Sequence, residues 1–130
     1  MAVKDNFVVP ASAQELPVGV APGTTFFILF LASIDPVTKQ PWCSDVRATL
    51  PLLNKIFAAA SSPEVRYAYV GSKAEYKEDP VNRFRTQWNI NNIPTLSRYQ
   101  RSDNGKIEEV GRLVEGELLD ESRVQDLISS

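Results

Sequence analysis

Hydrophobic positions fall into blocks whose spacing changes along the chain. Residues 24–32 (TTFFILFLA) form a nearly continuous β-prone apolar run, the pattern of a central strand buried on both faces. In residues 44–60, Val46, Leu50, Leu53, Ile56 and Phe57 recur at helical spacing and predict a helix. Residues 65–70 (VRYAYV) alternate as a second central strand, stopped by Gly71. A polar loop over 72–79 follows, with Pro80 near the first turn of a helix carrying Val81, Phe84, Arg85 and Trp88. Residues 96–100 and 106–113 flank Ser102-Asp103-Asn104-Gly105, where Asn-Gly supplies positive φ cheaply, so this stretch predicts an antiparallel hairpin. Asp120 can cap a last helix, residues 121–129, whose apolar face is Val124, Leu127 and Ile128. Ahead of the central strand, residues 7–9 predict a short opening strand, and a partial helix is placed near 12–19. The order βαβαβαββα implies an α/β fold: a central mixed sheet covered by helices on both faces.

Composition narrows the function classes. One domain over 1–130 is expected, and 130 residues suffice to bury roughly two thirds of the unfolded surface without staples. The net charge is −2 with acids and bases interspersed, which argues against nucleic-acid and membrane partners and leaves proteins and peptides. No apolar span approaches twenty residues, and the start (MAVKDNFVVPASAQEL) lacks the apolar core of a signal peptide. One cysteine and no Asn-Xaa-Ser/Thr site fit a cytoplasmic or nuclear address, and a monomer is expected. Histidine is absent, so Ser-His-Asp and Cys-His units and histidine metal sites are excluded; no metal or resident cofactor is expected. No phosphate-cradling glycine motif occurs, and no carboxylate pair sits in an apolar context suited to hydrolysis.

The chemistry concentrates in Trp42-Cys43-Ser44-Asp45-Val46, which has the frame of a WCxxC redox motif with Val46 in place of the second cysteine. Cys43 falls at or just before a helix start, where unpaired amides and the dipole favour a thiolate. Asp45 in the first turn slightly opposes it, and a second thiol that could donate to it is missing, so a mildly acidified thiol is expected. The bland alternative is a small buried hydrophobe, the commonest fate of a free cysteine. A dithiol enzyme resolves its mixed disulfide with the second thiol, a step this chain cannot make internally. Ile93-Pro94-Thr95 precedes one strand of the hairpin, where a proline marks a strand start or bend and, on sequence alone, reads simply as a turn.

A strand, WCxx, a helix, a strand, a helix, then Ile-Pro-Thr and a hairpin resembles the thioredoxin arrangement over roughly residues 24–130. More closely, the chain is similar to the small cytosolic thioredoxin-related proteins of about fourteen kilodaltons, the thioredoxin domain-containing protein seventeen family. These share a long loop before the motif, a WCxDC signature and a VGxKxxWKDPxNxFR segment. Here that segment reads VGSKAEYKEDPVNRFR over residues 70–85, with one extra residue near Glu78 and Tyr76 for Trp. The resemblance implies Cys43 as nucleophile, Trp42 as the flanking aromatic, and Pro94 as a cis-proline facing the sulfur. The Ile93 backbone would then pair with an extended substrate, and Thr95 would complete the groove. It also implies protein-disulfide reduction recharged by thioredoxin reductase. Val46 and Ser44, which stands where the related motif has Pro, depart from the pattern. A laboratory trapping variant would carry Ser or Ala, so Val46 is read as natural.

Two functions follow. In one, Cys43 exchanges with protein or peptide disulfides, glutathionylated proteins or nitrosothiols, and an external thiol such as glutathione resolves the adduct. In the other, turnover is lost and the groove beside Pro94 serves a binding or regulatory module.

Overall fold

The computed structural model describes residues 3–129. Its core is a five-stranded sheet in the order β1-β3-β2-β4-β5. The strands are β1 (Val3–Lys4), β2 (Thr25–Leu31), β3 (Val65–Tyr69), β4 (Thr95–Arg101) and β5 (Ile107–Val114). β3 runs parallel to both β1 and β2, whereas β4 is antiparallel to β2 and β5. The continuous apolar run explains why β2 lies centrally. Every residue from Phe26 to Leu31 is buried, so neither face can meet water.

Three helices complete the fold: α1 (Ser44–Ala58), α2 (Arg83–Thr86) and α3 (Glu121–Ser129). Register assigns them to faces. Leu29 pairs with Tyr67 and so shares its side of the sheet, and Phe57 of α1 packs edge-on against Tyr67 at 6.3 Å. Phe30 points the other way and meets Phe84 of α2 at 6.2 Å and Trp88 at 6.1 Å. α3 joins α1, because Arg98, paired with Phe27 on the Leu29 face, donates to the Leu127 carbonyl at 2.9 Å. Gly111 permits this approach: a Cβ there would lie 2.6 Å from Leu127 Cδ1. The sheet is therefore mixed and covered on both faces, as the pattern predicts. Each fully buried side chain of Phe57's class contributes about 1.5–3 kcal/mol to this packing.

α1 carries Val46, Leu53, Ile56 and Phe57 inward and contains Pro51 on its exposed side, where the missing N–H leaves the Arg47 carbonyl without its helical donor. No helix among the described residues is long and apolar enough to cross a membrane.

Three expectations are corrected. The opening strand is Val3–Lys4, paired with Val65 and Arg66, and not residues 7–9. Phe7 instead packs on Phe26, and Arg83 and Trp88 take the carbonyls of Val9 and Pro10. The helix expected from Pro80 is two short pieces. A π-helical turn, Ala74–Glu78, lies inside the supposed polar loop, and α2 begins only after Asn82, whose side chain accepts from the Phe84 N–H. Near residues 12–19 only a 3-10 turn forms, Ala13–Glu15. From that turn the Gln14 amide reaches β5, donating to the Ile107 carbonyl at 2.7 Å and accepting from its N–H at 3.0 Å.

Candidate functional site

Cys43 is the N-cap of α1: its backbone is still extended, and its carbonyl accepts from the Arg47 N–H. The side chain is half-buried and opens on a cleft of about 310 Å³. Across that cleft the thiol donates to the Ile93 carbonyl, with sulfur and oxygen 3.7 Å apart. The Ile93–Pro94 peptide is cis. Pro94, Thr95 and the Ile93 side chain are all buried, so of the Ile-Pro-Thr triplet only Ile93 reaches the cleft wall. What this segment can offer a bound chain is backbone polar groups.

The Pro94 segment is fixed from behind. Glu115, at a left-handed φ of 50°, donates its N–H to the Pro94 carbonyl at 2.9 Å and accepts on Oε1 from Asn92 at 3.0 Å. The Thr95 hydroxyl donates to the Asn92 carbonyl at 2.6 Å.

The opposite wall is Trp42. Its indole N–H donates to the Gly71 carbonyl at 2.8 Å, and its ring lies on Tyr76 with centroids 6.2 Å apart. Lys77 Nζ stands 5.9 Å from the indole centroid. Tyr76 ties the two walls together, since its hydroxyl donates to the Ile90 carbonyl at 2.6 Å. Burial raises the Tyr76 pKa, against Arg85 and Arg112, which lower it.

The loop before the motif is a closed turn. Ile34 and Pro41 form an antiparallel bridge, the Asp35 N–H donates to the Gln40 carbonyl, and the Asp35 carboxylate accepts from the N–H groups of Val37 and Thr38. Ser33 fastens this turn to Gly71 in both directions. Gly71 sits at φ +108°, a conformation that glycine alone adopts freely.

Ser44 and Asp45 are exposed at the cleft mouth. Val46 is not there: one turn below Cys43 it is fully buried in the core. The structure therefore brings Trp42, Cys43, Ser44, Asp45 and Ile93 around one opening and removes Val46 from it. Lys73, Tyr76, Lys77, Asn92 and Glu115 also line that opening; the first three stand at the K, W and K of the VGxKxxWKDPxNxFR segment, though none was expected at the site. For Tyr76 a signal existed, its alignment with the Trp of the WKDP segment; Asn92 and Glu115 meet only through the folded chain.

Known proteins resemble this chain over most of its length. Residues 15–129 match the family described as thioredoxin domain-containing protein 17-like, thioredoxin domain. A thioredoxin domain-containing protein of Schizosaccharomyces pombe is 38% identical over 117 residues, covering 90% of this chain and 93% of the relative. The thioredoxin-like protein Clot of Oryza sativa is 32% identical over 87 residues, 62% of each chain. Among solved structures, a Plasmodium falciparum thioredoxin aligns with a TM-score of 0.49 at 15% identity, covering 83% of this chain and 75% of that one. With a mixed sheet, a family match over residues 15–129 and a relative 38% identical across 90% of the chain, the chain belongs to the thioredoxin domain-containing protein 17-like family.

Proposed function

We propose that this protein carries out thiol–disulfide exchange by a monothiol route through Cys43, on protein or peptide substrates in the cytoplasm. The observation that supports it is the contrast in the motif: the sulfur of Cys43 opens on a preformed cleft, while the resolving position is a buried valine.

The Cys43 thiolate attacks one sulfur of a glutathionylated substrate, forming a Cys43–glutathione disulfide and expelling the substrate thiolate, which takes up a proton. A second glutathione thiolate then attacks the glutathione sulfur of that adduct. Oxidised glutathione leaves and the Cys43 thiolate returns. Across the cycle, one mixed disulfide and one glutathione thiol become one substrate thiol and oxidised glutathione: one disulfide bond breaks, one forms, the incoming thiol's proton ends on the substrate, and no second protein thiol is needed. Glutathione is thus the external co-reactant, and no bound cofactor takes part. Backbone groups at Ile93 suit pairing with an extended chain.

Parallel turnover assays test this reading, one driven by glutathione and one by a thioredoxin reductase system. Slow Cys43-dependent turnover with glutathione and none with the reductase alone is the expected result. Robust reductase-driven turnover would overturn the monothiol route. Absence of Cys43-dependent turnover in both arms would transfer the cleft to a binding or regulatory role.

A further inference from the structure

A second concavity, of about 420 Å³, lies on the far side of Trp42 from the Cys43 cleft, between the closed turn before the motif and the Ser72–Ala74 backbone. It is open to solvent and presents apolar surface from Ile34, Pro36, Trp42 and Ala74. Ile34 is 52% exposed, and here its apolar surface is continued by Pro36, Trp42 and Ala74 in one concavity.

Cations also outnumber anions at the groove. Arg47 and Lys73 line it, both exposed and, among the described residues, in no ion pair, against a single lining carboxylate, Asp35, whose Oδ1 is engaged by the N–H groups of Val37 and Thr38. The Arg47 guanidinium is held in place by one bond to the Pro41 carbonyl at 2.6 Å, which leaves its other donors free. The walls are braced by the Ile34–Pro41 bridge, the Ser33–Gly71 pair and the Trp42–Gly71 bond. Little ordering is then required on binding.

From these features we infer that the groove is a docking site for a protein segment in which an aliphatic side chain is flanked by acidic residues. The aliphatic group enters between Ile34 and Ala74 and rests on Trp42, and its acidic neighbours meet Arg47 and Lys73. Trp42 and Lys73 line both this groove and the Cys43 cleft, so a docked partner lies beside that cleft without occupying it. The inference does not depend on turnover at Cys43, and its test can dispense with the thiol.

Binding is measured with the Cys43→Ser chain and two fluorescein-labelled peptides, Gly-Glu-Leu-Asp-Gly and Gly-Lys-Leu-Lys-Gly. The acidic peptide should bind and the basic one should not, with affinity falling as salt rises. Reversing both cations, Arg47→Glu with Lys73→Glu, should weaken binding about tenfold, and Ile34→Ser should weaken it without altering the salt dependence. Backbone amide shifts on titration should move at Ile34, Ser72 and Ala74, with the Trp42 indole N–H following and that of buried Trp88 still. Equal binding of the two peptides, no binding of the acidic one, or shifts confined to Asn91, Asn92 and Ile93 would overturn the assignment. Concentration-dependent association of the chain with itself, abolished by Ile34→Ser, would instead give the groove to a second copy.

Discussion

Cys43 and Val46 stand three residues apart on one turn of α1 and live in different worlds. One is half-buried with its sulfur across a cleft from a carbonyl; the other is completely enclosed by the core. In a dithiol enzyme these positions share a task, since the enclosed thiol must reach the exposed one. The geometry shows that the second position is as much a packing site as a chemical one. Valine fits it without loss to the fold, because an apolar β-branched side chain is what the core face of a helix accepts there. Chemistry at that position was therefore separable from structure, while chemistry at Cys43 depends on surroundings supplied by residues far along the chain.

The sharpest way to break the comparison is at its exposed member. Cys43→Ser should abolish all glutathione-supported turnover and leave the circular dichroism spectrum unchanged, because the side chain is only half-buried and caps nothing. Residual turnover would mean that the activity lies elsewhere.

The next test restores what is missing. Val46→Cys should fold, form a disulfide with Cys43 on mild oxidation, and acquire reductase-dependent turnover; intact mass should fall by two hydrogens. A folded variant that stays reduced would show that the turn no longer presents the two side chains to each other.

Val46→Ala probes the buried member as packing. It should lower stability by about 2 kcal/mol through a cavity in the core, read as a shift in urea midpoint, with turnover per folded molecule retained. A smaller effect belongs to Tyr76→Phe, which removes the donor to the Ile90 carbonyl while keeping the ring against Trp42. A loss of about 1 kcal/mol is expected.

The finest distinction concerns how tightly the walls are sealed. Burial raises the pKa of all four tyrosines, Tyr67, Tyr69, Tyr76 and Tyr99. The folded chain holds these protons more firmly than the unfolded one, so this stability is fully present below the unfolded pKa of about 10 and falls as pH rises above it. Tyrosinate absorbance should appear together with loss of the dichroism signal. Ionisation well before unfolding would show that these hydroxyls are open to solvent.

Much of this was legible because local pattern and global fold agree. β2, α1, the β4–β5 hairpin and α3 each declare themselves through spacing, turn chemistry or capping. β1 was misplaced because two residues carry almost no periodic signal. Its position is decided by Val65 and Arg66 across the sheet, while Phe7 is drawn to Phe26, and the Val9 and Pro10 carbonyls are taken by Arg83 and Trp88. The π-helical turn was hidden for a similar reason. Its one buried residue, Tyr76, sits among exposed polar neighbours, and only Trp42 and the Ile90 carbonyl explain it. At the site, Trp42, Cys43 and Ile93 could be marked in advance by motif. The lining by Asn92 and Glu115 could not, since each is an ordinary surface residue until folding brings it to the cleft, whereas Lys73 and Lys77 stand at the lysines of the VGxKxxWKDPxNxFR segment.

The Gln14 amide bears on a different matter, polymerisation. β5 is the longer of the two outer strands, and an outer strand with vacant backbone groups is a template on which further chains can stack into fibrils. At Ile107 both backbone groups facing outward are already taken by one side chain that imitates the missing neighbour. A strand arriving at that end of the sheet finds its first rung occupied. Gln14→Ala would reopen it, and the consequence would be seen in solution lifetime at high concentration long before it was seen in the folded structure.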